Sequence, residues 1–155
     1  MFTYTIYKNP WLALLDSAWL FLLQREDINK KTLFKRLANS AYICLCTKWS
    51  KILGIGCLKQ AAKRYLQLLD VAPEEHHTYW ESGFFYTHPS YRKLGIGQHI
   101  QQKLIAVGHP AHIISVTRTD NLSMQHILER QWFADTKKTT YNAFLKQEVK
   151  IYLYR

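Results

Sequence analysis

Phe2–Tyr7 alternates aromatic or aliphatic residues with threonine, the two-residue period of a strand with one buried face. After Pro10, which suits a helix start, Trp11, Leu14, Leu15, Ala18 and Leu22 recur at helical spacing. Leu12, Trp19, Leu20 and Leu23 make that helix apolar almost all round, so part of it must cover a pocket, a partner or a second core layer. A second helix is predicted over Asn29–Ala38, with Leu33, Phe34 and Leu37 inward. Ala41–Thr47 and Ile52–Lys59 read as the strands of a hairpin turned by Lys48–Lys51. A short helix over Ala61–Leu69 leads into a Pro-Glu-Glu-His-His loop. Tyr79–Thr87 is strongly strand-like, and Gly97–Val107 is helical, with Ile100, Leu104 and Val107 on one stripe. A β-branched strand over His112–Thr117, a helix over Asn121–Gln131 and a closing strand over Val149–Tyr154 complete the pattern. Strands alternating with helices after an initial hairpin predict an α/β layer built on a mixed sheet.

The 155 residues fit one domain, 1–155, and 48% hydrophobic with 21% charged residues is ordinary globular usage. The balance of 21 basic against 11 acidic side chains, a net charge of +10, favours a polyanionic partner without saying which. It argues against an acidic solvating tail or a cation store. The three cysteines, Cys44, Cys46 and Cys57, contain no Cys-x-x-Cys, so neither a zinc ribbon nor a thioredoxin-like site is supported. Reduced structural thiols and a cytoplasmic location are expected. The longest apolar stretch, Trp11–Leu23, is broken by Asp16 and falls short of the ~20 residues of a membrane helix. It also lacks the basic start and cleavage site of a signal peptide, and reads as a core helix with no membrane partner.

Candidate chemistry concentrates in Pro89-Ser90-Tyr91-Arg92-Lys93-Leu94-Gly95-Ile96-Gly97-Gln98, between a strand and an amphipathic helix. Two glycines one residue apart let backbone N–H groups converge without a Cβ in the way. The following helix adds unpaired N–H groups and the positive end of its dipole, and Arg92 and Lys93 add cationic side chains. Such a segment can hold a phosphate or pyrophosphate. Gly54-Ile55-Gly56 repeats the same letters inside a strand, where close packing or a bulge is expected instead. A P-loop would need Gly-Lys-Ser/Thr, which is absent. A dinucleotide fingerprint would need glycine at Ile100, with Asp120 as the ribose partner. The acyl-CoA pattern Arg/Gln-x-x-Gly-x-Gly/Ala fits Arg92–Gly97 at every position.

At these residues the chain resembles the GNAT superfamily of N-acyltransferases. Thr87-His88-Pro89-x-Tyr91-Arg92-x-x-Gly95-Ile96-Gly97 is similar to the end of the family's fourth strand and its CoA loop, and Asn121–Phe133 to its asparagine-led motif. The resemblance implies a mixed, mostly antiparallel sheet of six to seven strands, flanked by about four helices and splayed where CoA enters. It implies acetyl-CoA as cosubstrate, with no metal, and direct transfer to a primary amine in a ternary complex. Arg92, Lys93, Leu94, Gly95, Ile96, Gly97 and Gln98 would hold the pyrophosphate. The backbone of Phe85, Tyr86 and Thr87 would align the thioester, as an oxyanion hole does, and Asn121, which with Asp120 can also cap its helix, would steady the pantetheine. Glu81, six residues before Thr87, stands where many members carry a catalytic glutamate. Even spacing along the strand predicts Glu81 on one face with Gly83, Phe85 and Thr87.

Two positions depart from the family pattern. Leu128 stands where members often carry a tyrosine that protonates the leaving thiolate, and Trp132 stands where a glycine usually precedes the final aromatic. Tyr141, Tyr91, His126 or water are the alternative proton donors, and a CoA-binding or interaction module without catalysis is the alternative function. Adjacent His76 and His77 diverge and have no third ligand, so a solvated loop is expected there. Basic clusters at Lys30-Lys31, Lys35-Arg36, Lys63-Arg64 and Lys137-Lys138 read as solvated faces. The acceptor stays open among an amine on a small molecule, a protein or peptide and an RNA-linked amine. The apolar first helix could line the acceptor side or a homodimer interface.

Overall fold

Alternating β-branched and aromatic strands with intervening amphipathic helices assemble into one layered sheet in the computed structural model, which describes residues 1–26, 28–109 and 111–154. The chain runs β1 (Thr3–Lys8), α1 (Leu12–Leu22), α2 (Lys30–Ala38), β2 (Ser40–Lys48), β3 (Lys51–Gln60), α3 (Lys63–Leu68), β4 (Tyr79–Thr87), α4 (Ile96–Gly108), β5 (His112–Arg118), α5 (Leu122–Arg130), β6 (Ala134–Asn142) and β7 (Gln147–Tyr154). Among the described residues the sheet has seven strands in the order β1-β2-β3-β4-β5-β7-β6. Its one parallel pair is β4·β5, bridged by α4 as a parallel crossover requires; the rest are antiparallel. This is the mixed, mostly antiparallel α/β architecture expected.

Two faces of the sheet carry the core. On one, Leu14, Leu15, Ala18, Phe21 and Leu22 of α1 and Leu33 and Leu37 of α2 pack on Ile43, Ile55, Cys57 and Phe84. Tyr65 and Leu66 of α3 continue that face over Ile114, Val149 and Ile151. On the other, Ile96, Ile100 and Leu104 of α4 and Leu128 of α5 pack on Cys44, Cys46, Ile113 and Tyr152. The outer side of α1 leaves Trp11, Leu12 and Leu20 exposed.

Gly54 and Gly56 provide the close approach between β3 and α4. A Cβ on Gly54 would lie 2.5 Å from the Ile96 Cγ2, and one on Gly56 would lie 2.6 Å from the Ile100 Cγ2 and 2.7 Å from the Phe85 ring. Their role is packing, as expected. The β2–β3 hairpin turns over two residues, Trp49 and Ser50, both at positive φ (48° and 65°), the I′ geometry that matches strand twist. The sequence suggested a longer turn because neither residue is the usual Asn or Gly. Pro73–Thr78, expected as a loop, winds into a 3₁₀ turn in which His76 and His77 bond the Val71 and Glu74 carbonyls.

β6 has no counterpart in the periodicity. Its sequence, Ala-Asp-Thr-Lys-Lys-Thr-Thr-Tyr-Asn, is polar on both faces because it is the sheet's outer edge, and its register to β7 slips between Asp135 and Thr139. α5 closes with a Schellman motif: Phe133 N–H donates to the Leu128 carbonyl and Trp132 N–H to that of Glu129. Trp132 sits at φ 67°, the position where glycine is favoured, and its ring is 84% exposed.

Candidate active site

The site begins with a bulge. Ile55 pairs with Tyr86 and Cys57 with Gly83, so Phe84 and Phe85 together oppose Gly56, with Phe84 at φ 56°. The extra residue reverses the strand's phase. Glu81, Gly83, Phe84 and Tyr86 face α1–α3, whereas Phe85 and Thr87 face α4. The expectation that Glu81 shares a face with Phe85 and Thr87 is therefore corrected: an even count fails across an inserted residue.

The bulge also ends the ladder to β5. β4 and β5 pair from Tyr79↔His112 to Ser82↔Ser115, and no pairing follows among the described residues. Buried polar groups mark the parting point: Ser115 Oγ donates to the Ser82 carbonyl, and Gln101 Nε2 donates to Ser82 Oγ. Beyond it, residues 83–87 of β4 and 116–118 of β5 flank a gap through the sheet.

On the α4 side of this gap lies the Arg92–Gln98 segment. Pro89–Tyr91 forms a 3₁₀ turn capped by His88, whose Nδ1 accepts from Ser90 N–H. Arg92 Nε donates to the Thr87 carbonyl, tying the loop to the end of β4. Gly95 adopts φ 76° as the N-cap of α4, a left-handed conformation that glycine takes without strain. Ile96, Gly97 and Gln98 form the first turn, whose N–H groups precede any intrahelical acceptor; the Gly95 carbonyl takes the N–H of His99 at 3.0 Å. Unlike Gly54 and Gly56, Gly97 is not needed by the protein's own packing, since its Cβ would meet only the Ile127 Cδ1, at 3.5 Å. The residues thus fit a pyrophosphate: convergent amides, a helix N-terminus, open space at a glycine, and Arg92 and Lys93 exposed beside it.

On the opposite face the gap opens into a cleft of about 510 Å³. Glu81 lines it, 7% exposed, its Oε1 in an ion pair with Lys59 and its Oε2 accepting from Ala62 N–H at 3.4 Å. Phe85 and Asn121 line it too, as does the turn 142–145. Asn121 Oδ1 accepts the Met124 N–H at 3.2 Å and so caps α5, the structural half of the role expected for it; its amide NH₂ is the group left for a ligand. Tyr65 is the one tyrosine lining the cleft among the described residues. Burial, reinforced by the Glu81 charge, raises its hydroxyl pKa against the pull of Arg64 and Arg36.

Tyr141 is 61% exposed on β6 and is not among the cleft-lining residues, although the turn that lines the cleft follows it directly. Tyr91 packs in the α4-side core, against Phe2 and His88, and His126 is exposed beside Glu129. Leu128 is fully buried, so the position often held by a tyrosine is a core position here. Three contacts had no sequence signal: Lys59 with Glu81, Arg25 Nη1 donating to the Phe85 carbonyl, and Gln101 with Ser82. Each joins segments 19 to 60 residues apart. No group of three or more metal-ligating side chains occurs among the described residues. No helix there is long and apolar enough to cross a membrane.

The fold has many solved counterparts. The chain superposes on NAA60 of Arabidopsis thaliana, solved with a bisubstrate analogue, at TM-score 0.73 with 12% identity over 98% of each chain. The ribosomal-protein-S18-alanine N-acetyltransferase of Escherichia coli gives 0.70 and 14%, covering 97% of this chain and 92% of that one. yncA of Salmonella typhimurium, solved with its cofactor acetyl-CoA, gives 0.69 and 13%, covering 99% and 94%. No curated protein sequence matches the chain. The family model of the acetyltransferase (GNAT) family matches residues 4–133. Sheet order, splay and loop agree with that match, and the chain belongs to the acetyltransferase (GNAT) family.

Proposed function

We propose that this chain transfers an acetyl group from acetyl-CoA to a primary amine by direct attack in a ternary complex. The observation that carries the reading is the gap between β4 and β5, with an anion-binding helix N-terminus on one face and a buried carboxylate on the other. Acetyl-CoA supplies the activated acyl group. The first-turn amides of α4, with Arg92 and Lys93, would bind its pyrophosphate, and the Asn121 amide would steady the pantetheine. Backbone groups of Phe85, Tyr86 and Thr87 would align the thioester carbonyl at the unpaired edge of β4. Arg25 holds the Phe85 carbonyl at 3.1 Å and so fixes this edge.

The amine enters from the cleft. Its nitrogen bonds to the acetyl carbon, the C–S bond breaks, the ammonium proton passes to Glu81 directly or through water, and the departing sulfur is protonated to give free CoA. Lys59 holds one Glu81 oxygen, leaving Oε2, with only the long Ala62 contact, as the proton acceptor. Water entering the open cleft can protonate the sulfur, and a Tyr141→Phe variant tests whether that hydroxyl takes part. The acceptor is an amine on a small molecule or on a protein or peptide, an RNA-linked amine being the weaker reading.

The test is calorimetric titration with acetyl-CoA, with NAD as control, followed by acetyl transfer to an amine panel. Glu81→Gln is expected to keep acetyl-CoA affinity and lose ~10²–10⁴ in turnover. Gly97→Glu is expected to abolish acetyl-CoA binding while keeping the fold, because its side chain has room. Acetyl-CoA binding without transfer to any amine would overturn the enzyme and leave a CoA-binding module. Full activity in Glu81→Gln would remove that residue from the chemistry.

A further inference from the structure

The cleft on the Glu81 face is strongly one-sided in charge. Among the described residues, Arg25, Arg36, Lys59, Arg64 and Arg118 line it, and Glu81 is the one carboxylate that does. Lys59 is consumed by its pair with Glu81. Arg36 and Arg64, in contrast, have no carboxylate partner among the described residues. Each guanidinium lies over an aromatic ring instead: Arg36 Cζ lies 4.7 Å from the centre of Phe84, and Arg64 Cζ 4.6 Å from that of Tyr65. Arg64 Nη2 also donates to Tyr65 Oη at 2.7 Å. The ring contact restrains each fork on one side and leaves N–H groups for a ligand, the arrangement that suits an oxyanion. Sequence alone counted both residues among solvated basic faces, and both are exposed; the fold brings them from α2 and α3 to the rim of one cleft.

Building on the acetyltransferase reading, we propose that the acceptor is a small amine bearing an oxyanion, a carboxylate or phosphate, which Arg36 and Arg64 bind while the amino group sits at Glu81. The two subsites adjoin. Phe84, under Arg36, follows Gly83, whose missing Cβ would lie 3.9 Å from Glu81 Oε1. Tyr65, under Arg64, responds to the charges of Glu81, Arg64 and Arg36 together. A ligand negative at one end and basic at the other matches this polarity, whereas a polyamine would meet the Arg36 and Arg64 cations at the end away from Glu81. A cleft of about 510 Å³ suits a small molecule.

The experiment compares matched amines: O-phosphoethanolamine with ethanolamine, β-alanine with propylamine, and putrescine as the cationic arm. Acetylation is followed by thiol release. The anionic member of a pair is expected to exceed its neutral partner by about 10-fold or more in kcat/KM, with putrescine slowest. The preferred pair tells phosphate from carboxylate. Arg36→Gln and Arg64→Gln are each expected to lower kcat/KM for the preferred anionic amine about 10-fold through KM, with the Kd for acetyl-CoA unchanged. Equal or better use of neutral amines or putrescine would overturn the proposal and leave the acetyltransferase reading standing. If no amine is acetylated, that reading fails and binding decides this one. Calorimetry on the CoA-loaded protein must then show O-phosphoethanolamine or β-alanine binding tighter than its neutral partner, and weaker in the arginine variants; equal affinities would overturn it.

Discussion

One methyl group added at Gly56, Gly54 or Gly97 is expected to move stability in opposite directions, because the first two glycines serve the core and the third does not. In Gly56→Ala the new Cβ would stand 2.6 Å from the Ile100 Cγ2 and 2.7 Å from a Phe85 ring carbon. The methyl belongs to a β-branched helical residue with one favoured rotamer, and the ring to a bulged strand, so neither yields freely. Overpacking of this kind costs ~1–3 kcal/mol, while alanine returns ~0.5–1 kcal/mol over glycine through backbone entropy. The net loss is ~0–2.5 kcal/mol, centred above ~1, or up to ~10 °C in Tm at ~2–4 °C per kcal/mol for a chain this long. Gly54→Ala, against the Ile96 Cγ2 at 2.5 Å, follows the same arithmetic. Gly97→Ala meets one atom at 3.5 Å, within a helix, and is expected to gain up to ~1 kcal/mol. Thermal melts of the three variants without ligand provide the assay. Gly97→Ala less stable than Gly56→Ala, or Gly56→Ala more stable than the parent, would refute the division between packing glycines and a glycine kept open for a ligand.

Phe133→Ala, which empties a core position that is 3% exposed, is expected to cost ~3–5 kcal/mol. Its neighbour Trp132→Gly should be tolerated, because relief of the positive φ offsets the little ring area buried; urea midpoints compare the two directly. At Asp135 the upward push of burial is outweighed by the Lys137 N–H and by the Lys150 and Lys137 ammonium groups, which hold the carboxyl at about 2. A folded value below the unfolded ~3.9 means stability present above ~pH 4 and lost as pH falls toward 2. Asp135→Asn should therefore be less stable than the parent at neutral pH and equal to it near pH 2. Burial raises the Cys44 and Cys57 thiols to about 12, so iodoacetamide at pH 8 should spare both in the folded protein and label both in urea; labelling without denaturant would refute their burial.

What the chain order alone determined is local. The Arg92–Gly97 loop was legible because a pyrophosphate site made of backbone amides needs glycines, cations and a helix start within a few residues. The helices and inner strands were legible because burial on one face imposes a period of 3.6 or 2, as in Ile100, Leu104 and Val107. The dual character of Asn121 was also readable, since its cap lies three residues away. Edge strand β6 escaped because its outer edge pairs with no strand among the described residues and its polar sequence carries no period. The tertiary structure decided the rest. The bulge at Phe84 depends on β3, whose Gly56 accepts two residues opposite it, and it sends Glu81 and Phe85 to opposite faces. The Lys59–Glu81 pair, the Arg25 bond to the Phe85 carbonyl and the meeting of Arg36 with Arg64 at one rim join residues far apart in the chain. A lysine that neutralises a buried carboxylate and a lysine that faces water are the same letter, and only the fold of the remaining chain distinguishes them.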